Sequence, residues 1–368
     1  MTNTGYSDRV TRLFEKISDS IDVVVLSPSK TMRYFTGLEM RKSERPTLVV
    51  LSQNQNSAVV HPKLEADRIN EVLPNAETYA YSDSIDPVGA GRDAFEEFQA
   101  SRRINGPIGV EFRSTRLLER EVFAGDDSTV VDIENGITML RGKKDSNEIE
   151  RMRTAVTIIE NILNEVLEII EPGISERDIE IEIKERVMRS NADEYGIGVI
   201  TSGERTAQPH TNTGSRVIKQ DELVMIDAGV VYEGYYSDIT RTVAVGTPDQ
   251  ELVEIYDVVQ QAASAARERV EPGVEFQEID RTARKIIEEA GYGEYFPHRV
   301  GHGVGLEGHE PPYLVDGNDG TLEVGHAITV EPGVYVSGLG GIRIEDDVVV
   351  TDGGADVLST SSRELMFL

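Results

Sequence analysis

The 368-residue chain is longer than one ordinary domain, carries 66 acidic against 37 basic side chains for a net charge of −29, and contains no cysteine. That balance argues against nucleic acid as a partner, and the missing cysteines rule out disulfides and thiolate metal sites, so a reducing cytoplasm is the expected location. No apolar run reaches the roughly eighteen residues a membrane span needs, and the N-terminus lacks a basic-then-apolar leader, so no membrane partner is expected. Of the bases, 28 are arginine and 9 lysine. A salt-rich cytoplasm would tolerate such a surplus of acid, because the Debye length falls to about 3 Å near 1 M salt. A halophilic source is therefore expected, against the plainer reading of an ordinary acidic enzyme.

Residues 1–135 read as an alternating α/β domain. Val10, Leu13, Phe14 and Ile17 mark an amphipathic opening helix, and short apolar strands are predicted at 21–27, 47–52, 57–62, 107–112 and 129–133. The one histidine here, His61, is read as structural or superficial. A second domain, 136–368, begins with a new pattern near Gly142. Asp145 and Glu148 form a capping box before a helix through Met152, Val156, Ile159, Leu163 and Val166, which stops at Glu171-Pro172-Gly173. Ser175 and Asp178 open the next helix, through Ile179, Ile183 and Val187. The same grammar returns about a hundred residues later. Thr247, Pro248 and Gln250 are expected to cap a helix through Leu252, Tyr256, Val259 and Ala263, Glu271-Pro272-Gly273 stops it, and another follows through Ile279, Ala283 and Ile287. Helix, stop, helix, strand, occurring twice, points to an internal duplication.

The chemistry gathers beyond residue 200, where five of the six histidines lie. Asp227 ends the apolar run LVMID, and Asp238 lies in the strand-like YYSDITRTVAV. A hairpin turn at Glu233-Gly234 would bring the two aspartates nearly opposite one another on one face. Glu331 closes the apolar strand AITV. In GIRIEDDVVV, period-two alternation puts Arg343 and Glu345 on one face. Any one of these acids could be solvated. Four at the ends of buried strands are untenable unless neutralised, since each buried ion costs about several kcal/mol when unpaired. Two divalent cations would neutralise the set, and His302, between the glycines of GHGVG, is the natural nitrogen ligand.

The strings VMIDAG, YYSDITRT, GHGVGLEGHE, TVEPGVY and GIRIED resemble those of the pita-bread metallopeptidases, which include methionine aminopeptidase, aminopeptidase P, prolidase and creatinase. The likeness covers about residues 140–368, and RYFTGL at 33–38 is similar to a string of the creatinase-type N-terminal domain. The resemblance implies an α+β chain: a C-terminal pita-bread fold with internal pseudo-twofold duplication, preceded by a smaller α/β domain. It implies Asp227, Asp238, His302, Glu331 and Glu345 as ligands of two metal ions. Manganese suits this oxygen-rich set first, with cobalt or zinc as alternatives. It further implies Glu331 as proton shuttle, His309 and His210 as catalytic histidines, His298 lining the substrate site, and Tyr335 and Arg343 orienting Asp227. Singly, His210, His298 and His309 are also consistent with packing roles. His326 has no motif partner and is read as structural.

Methionine aminopeptidases lack so large an N-terminal domain, and metal-free creatinase relatives lack the ligand set, so Xaa-Pro peptidases remain. A dipeptidase must hold the product-side carboxylate, for which arginine is the obvious clamp. Prolidases, which the chain resembles, often place one shortly after the HE-x-P string; here the string runs HEPPYLV, with Tyr313 and no nearby arginine, while the short Glu331–Glu345 spacing looks prolidase-like. The missing clamp tips the reading towards an Xaa-Pro aminopeptidase acting on small proline-containing peptides. A hydrolase or lyase acting on a small non-peptide metabolite is the alternative. A homodimer is expected from the resemblance.

Overall fold

A computed structural model describes residues 3–53, 57–102, 106–125, 129–209 and 211–368. The chain divides into two compact units, residues 1–141 and 142–368. In the first, helices α1 (Asn3–Lys16), α2 (Lys30–Thr36), α3 (Ala66–Val72), α4 (Pro87–Arg102), α5 (Leu117–Phe123) and α6 (Glu134–Arg141) accompany strands β1 (Val23–Leu26), β2 (Leu48–Ser52), β3 (Ala58–Pro62), β4 (Glu77–Tyr81), β5 (Ile108–Val110) and β6 (Val130–Asp132). The strands form one mixed sheet in the order β4-β3-β2-β1-β5-β6. Phe95 and Phe98 of α4 and Phe123 of α5 pack on Val25, Val50 and Val60, burying apolar surface that stabilises by about 1.5–3 kcal/mol per large side chain. The five predicted strands are present, and β4 is an addition. Its sequence ETYAY buries only Tyr79 and Tyr81, too brief an alternation to stand out. His61 is fully buried in β3, its Nδ1–H donating to the Pro62 carbonyl at 2.9 Å.

The second unit opens with α7 (Ser146–Leu167) and α8 (Glu176–Arg189), both starting at the expected capping boxes. Strands β7 (Glu194–Ser202), β8 (Glu222–Tyr232), β9 (Tyr235–Tyr236) and β10 (Ile239–Val245) follow, with β8 central and β9 pairing β8 across the turn. That turn has positive φ at both Glu233 (45°) and Gly234 (83°), the two-residue hairpin geometry that matches strand twist. Then come α9 (Gln250–Glu268) and α10 (Phe276–Glu289). Strands β11 (Gly301–Gly303), β12 (Glu310–Leu314), β13 (Ala327–Val330), β14 (Gly333–Val336), β15 (Gly340–Arg343), β16 (Asp346–Thr351) and β17 (Gly354–Val357) complete the unit. Five of these form an antiparallel sheet ordered β12-β11-β13-β16-β17, and β14 pairs β15. Ile255, Val259 and Ala263 of α9 and Ile279, Ala283 and Ile287 of α10 bury against Ile328, Val330 and Val348. Asp249, rather than Thr247, caps α9: its carboxylate accepts the Glu251 N–H at 2.9 Å.

The duplication is visible hydrogen bond by hydrogen bond. Gly173 and Gly273 both have positive φ, 109° and 87°, which lets the chain reverse after each helix. The Gly173 N–H donates to the Ile218 carbonyl (3.0 Å) and the Gly273 N–H to that of Leu322 (2.8 Å). The carbonyls of Ile174 and Val274 accept in turn from Ile218 and Leu322, at 2.8 and 2.7 Å. No helix among the described residues is long and apolar enough to cross a membrane.

Candidate metal centre

The site is built where strands of the two halves of the second unit meet. Asp227 on β8 is the Cα partner of Thr240 on β10, and Asp238 lies two residues before Thr240 on the same face. The two aspartates are therefore diagonal neighbours rather than directly opposite. The expected single strand GIRIEDDVVV is split into β15 and β16, and Glu345 sits in the break between them. Its carboxylate still meets the Asp227–Asp238 pair, as Oε2 accepts from Thr240 Oγ1 at 2.6 Å. Glu331 directly follows β13, its backbone N–H donating to the Val300 carbonyl at 2.7 Å.

Ligand-type atoms of Asp227, Asp238 and Glu345 lie within 4.8 Å of one another. The same limit encloses His302, Glu331 and Glu345 as one group, and Asp238, His302 and His309 as another. His302 is buried, and its Nε2 stands 3.3 Å from Glu331 Oε1 and 4.0 Å from Asp238 Oδ2. Its other nitrogen faces the Gly303 carbonyl at 3.1 Å. A carbonyl only accepts, so Nδ1 carries a hydrogen and Nε2 is the nitrogen turned towards the carboxylates. His309 is exposed, with its ring centroid 4.0 Å from that of His302.

A chain of hydrogen bonds backs Asp227. Arg343 Nη2 donates to Asp227 Oδ2, Nη1 to Tyr335 Oη (3.1 Å), and Nε to Thr240 Oγ1 (3.1 Å). Tyr335 Oη also contacts His298 Nε2 at 2.9 Å, while His298 Nδ1–H donates to the Arg299 carbonyl at 2.7 Å. Both ring nitrogens of His298, read from sequence as lining the substrate site, are thus engaged by the protein. His326 lies apart from this focus: its Nδ1 accepts from the Glu323 N–H at 3.0 Å. His210 lies outside the described residues. The sequence reading missed two groups, Thr240 and Asp347, whose Oδ2 accepts the Asp238 N–H at 3.0 Å. Each lies two residues beyond a predicted ligand, on the same side of its strand, which is the signal that marks them.

The electrostatics ask for positive charge. Burial pushes Asp238 and Glu345 well above the usual carboxylate range, and their neighbouring carboxylates add to the effect. Burial also raises Asp227 despite Arg343, and lifts Asp347 to about 8. Glu331 goes the other way: burial raises it, but its hydrogen bond to His302 and the charges of His302, His298 and Arg343 bring it down to about 2. Asp227 Oδ1 is buried with no hydrogen-bond partner among the described residues. An orphaned oxygen, crowded carboxylates and an imidazole nitrogen facing them form the donor set that divalent cations satisfy, so the residues present fit a metal centre.

Residues 150–352 match metallopeptidase family M24, and residues 9–142 match the creatinase/prolidase N-terminal domain. An uncharacterized peptidase of Staphylococcus saprophyticus is 35% identical over 344 residues, covering 93% of this chain and 96% of that protein. Among solved structures, an Xaa-Pro dipeptidase from Bacillus anthracis superposes with a TM-score of 0.90 at 30% identity, covering 99% of this chain and 100% of that one. An X-Pro aminopeptidase from Thermotoga maritima gives 0.85 at 29% identity, with 98% and 99% covered.

Proposed function

Since the chain belongs to metallopeptidase family M24, we propose that it is a dinuclear-metal hydrolase cleaving Xaa-Pro bonds in small peptides. The observation that carries this reading is the convergence of Asp227, Asp238, His302, Glu331 and Glu345 around one focus. These five residues would hold two divalent ions, and the predominance of oxygen donors favours manganese, with cobalt or zinc as alternatives. When bound, the ions supply Lewis-acid polarisation of the scissile carbonyl and a water of lowered pKa.

The chain's own residues supply the rest. Arg343 fixes Asp227 through Oδ2 and leaves Oδ1 for the focus, and Thr240 does the same for Glu345 by donating to Oε2. Glu331, held ionised, accepts a proton from the attacking water and returns it to the leaving proline nitrogen. His309, exposed and with its ring tilted against that of His302, offers its N–H to the oxygen on which charge develops. A proline amide carries no N–H, so recognition must rest on ring shape and the carbonyl.

Tyr313, standing where a dipeptidase's arginine is expected, favours an aminopeptidase over a strict dipeptidase. The test is product analysis on the manganese-loaded enzyme with Xaa-Pro dipeptides, Xaa-Pro-Yaa tripeptides and N-acetylated controls. Release of Xaa from unblocked tripeptides is expected. Cleavage of dipeptides alone would overturn the aminopeptidase assignment, and no cleavage of any proline peptide would turn the search to small metabolites.

A further inference from the structure

Tyr313 on β12 is the cross-strand partner of His302 on β11. Paired residues of an antiparallel ladder project from the same face, so Tyr313 shares the face of the metal-side imidazole. Leu314, one residue on, faces the other way into the helical core. The guanidinium of Arg299 lies over the Tyr313 ring, its central carbon 4.2 Å from the ring centroid. Arg299 is half-buried and sits between His298, which holds Tyr335, and Val300, which holds the Glu331 backbone.

The other cations of this neighbourhood are committed. Arg343 is bound to Asp227, and Arg284 to Asp280 and the carbonyls of Phe296 and His298. Arg299 has no ion pair with any described residue, in a chain with a net charge of −29. A contact with a ring face uses none of a guanidinium's N–H donors as hydrogen-bond donors to oxygen, so they stay available to a carboxylate. A peptide carrying a carboxylate approaches a site already crowded with acids, and Arg299 is the cation placed to receive it.

We infer that Arg299, held over the Tyr313 ring, binds a carboxylate of the peptide substrate; this rests on the peptidase reading above. It restores, from β11's side of the β11–β12 pair, the cation that the sequence lacks at position 313. Two carboxylates of a proline peptide qualify: the C-terminal one, and the side chain of an Asp or Glu preceding proline.

The experiment compares acid and neutral probes in matched pairs, Ala-Pro with Ala-Pro-amide and Glu-Pro with Gln-Pro. Dissociation constants are measured by calorimetry on the manganese-loaded Glu331→Gln enzyme, with and without Arg299→Ala, and KM values on enzyme with Glu331 intact. Arg299→Ala is expected to reduce the preference for the acid member of one pair at least tenfold. Arg299→Lys should recover part of that preference, and Tyr313→Ala, which removes the platform but keeps the charge, should give a smaller loss. Loss confined to the Ala-Pro pair assigns the C-terminal carboxylate, and loss confined to the Glu-Pro pair assigns the acidic side chain. Equal weakening of acid and neutral probes, or no change, overturns the inference. Acid-selective binding without turnover by the intact enzyme would instead sink the hydrolase reading while leaving Arg299's role standing.

Discussion

Arg343 divides the two oxygens of Asp227, holding Oδ2 and leaving Oδ1 without a hydrogen-bond partner among the described residues. Tyr335 completes that grip by accepting from Arg343 and contacting His298. Removing a hydrogen bond that orients a ligand lowers metal affinity by about 10–100-fold. Tyr335→Phe should therefore weaken manganese binding by at least tenfold in a calorimetric titration, and an unchanged affinity would contradict the orienting role. Glu331→Gln should reduce turnover to background while His309→Ala lowers it with metal content intact, measured by elemental analysis alongside the rate. A fully active Glu331→Gln enzyme would contradict the proton-transfer role. The carboxylates of this site are legible in the sequence because an acid closing an apolar run has no cheap way to be buried. Arg299 is not, since an arginine beside a histidine is an ordinary residue until the chain is folded.

At the scale of elements, the capping boxes of α7 and α8 and the two Glu-Pro-Gly stops declare themselves in sequence because each is a local hydrogen-bonding rule. The break at Glu345 does not. Alternation runs from Ile342 to Glu345 with no glycine or proline after it to mark a break, and only the divergence of β15 and β16 into separate sheets decides it. His326, directly before β13, illustrates an element-level cost of burial. Its ring packs on Phe276 and its Nδ1 accepts a backbone N–H, so it must be neutral in the fold. Burial lowers its pKa to about 4; Lys144 and Lys143 push the same way and Glu323 opposes. A histidine with a depressed folded value binds more protons when unfolded. Its contribution is therefore intact above about pH 6.5 and is lost as pH falls towards 4. By pH 5 the loss is about 2 kcal/mol. His326→Gln, which cannot take up that proton, should lose less melting temperature than the parent between pH 7 and 5. Parallel losses would show that His326 does not titrate in this window.

For the whole molecule, the two-unit organisation is legible because an α/β pattern gives way to a repeated helix-stop-helix pattern near Gly142. The response to salt follows from a quantity that folding leaves unchanged, the excess of 66 acids over 37 bases. Surface pairs such as Arg33–Glu39, Arg45–Asp83 and Arg281–Asp316 are weakened by salt, but each is worth only about 0–1 kcal/mol. Even if every base took one acid, 29 carboxylates would remain without a basic partner, and their repulsion adds over the whole surface. Raising ionic strength to 1 M shortens the screening length to about 3 Å and removes most of that repulsion. The gain should outweigh the lost pairs, so the melting temperature should rise with KCl between 0.1 and 3 M by on the order of 10 °C, equivalent to a few kcal/mol. Replacing KCl with an uncharged osmolyte at matched osmolality separates screening from surface exclusion. A melting temperature that stays flat or falls as KCl rises would mean that the ion pairs, rather than the unpaired acids, govern stability, and the proposal of a salt-rich home would fail with it.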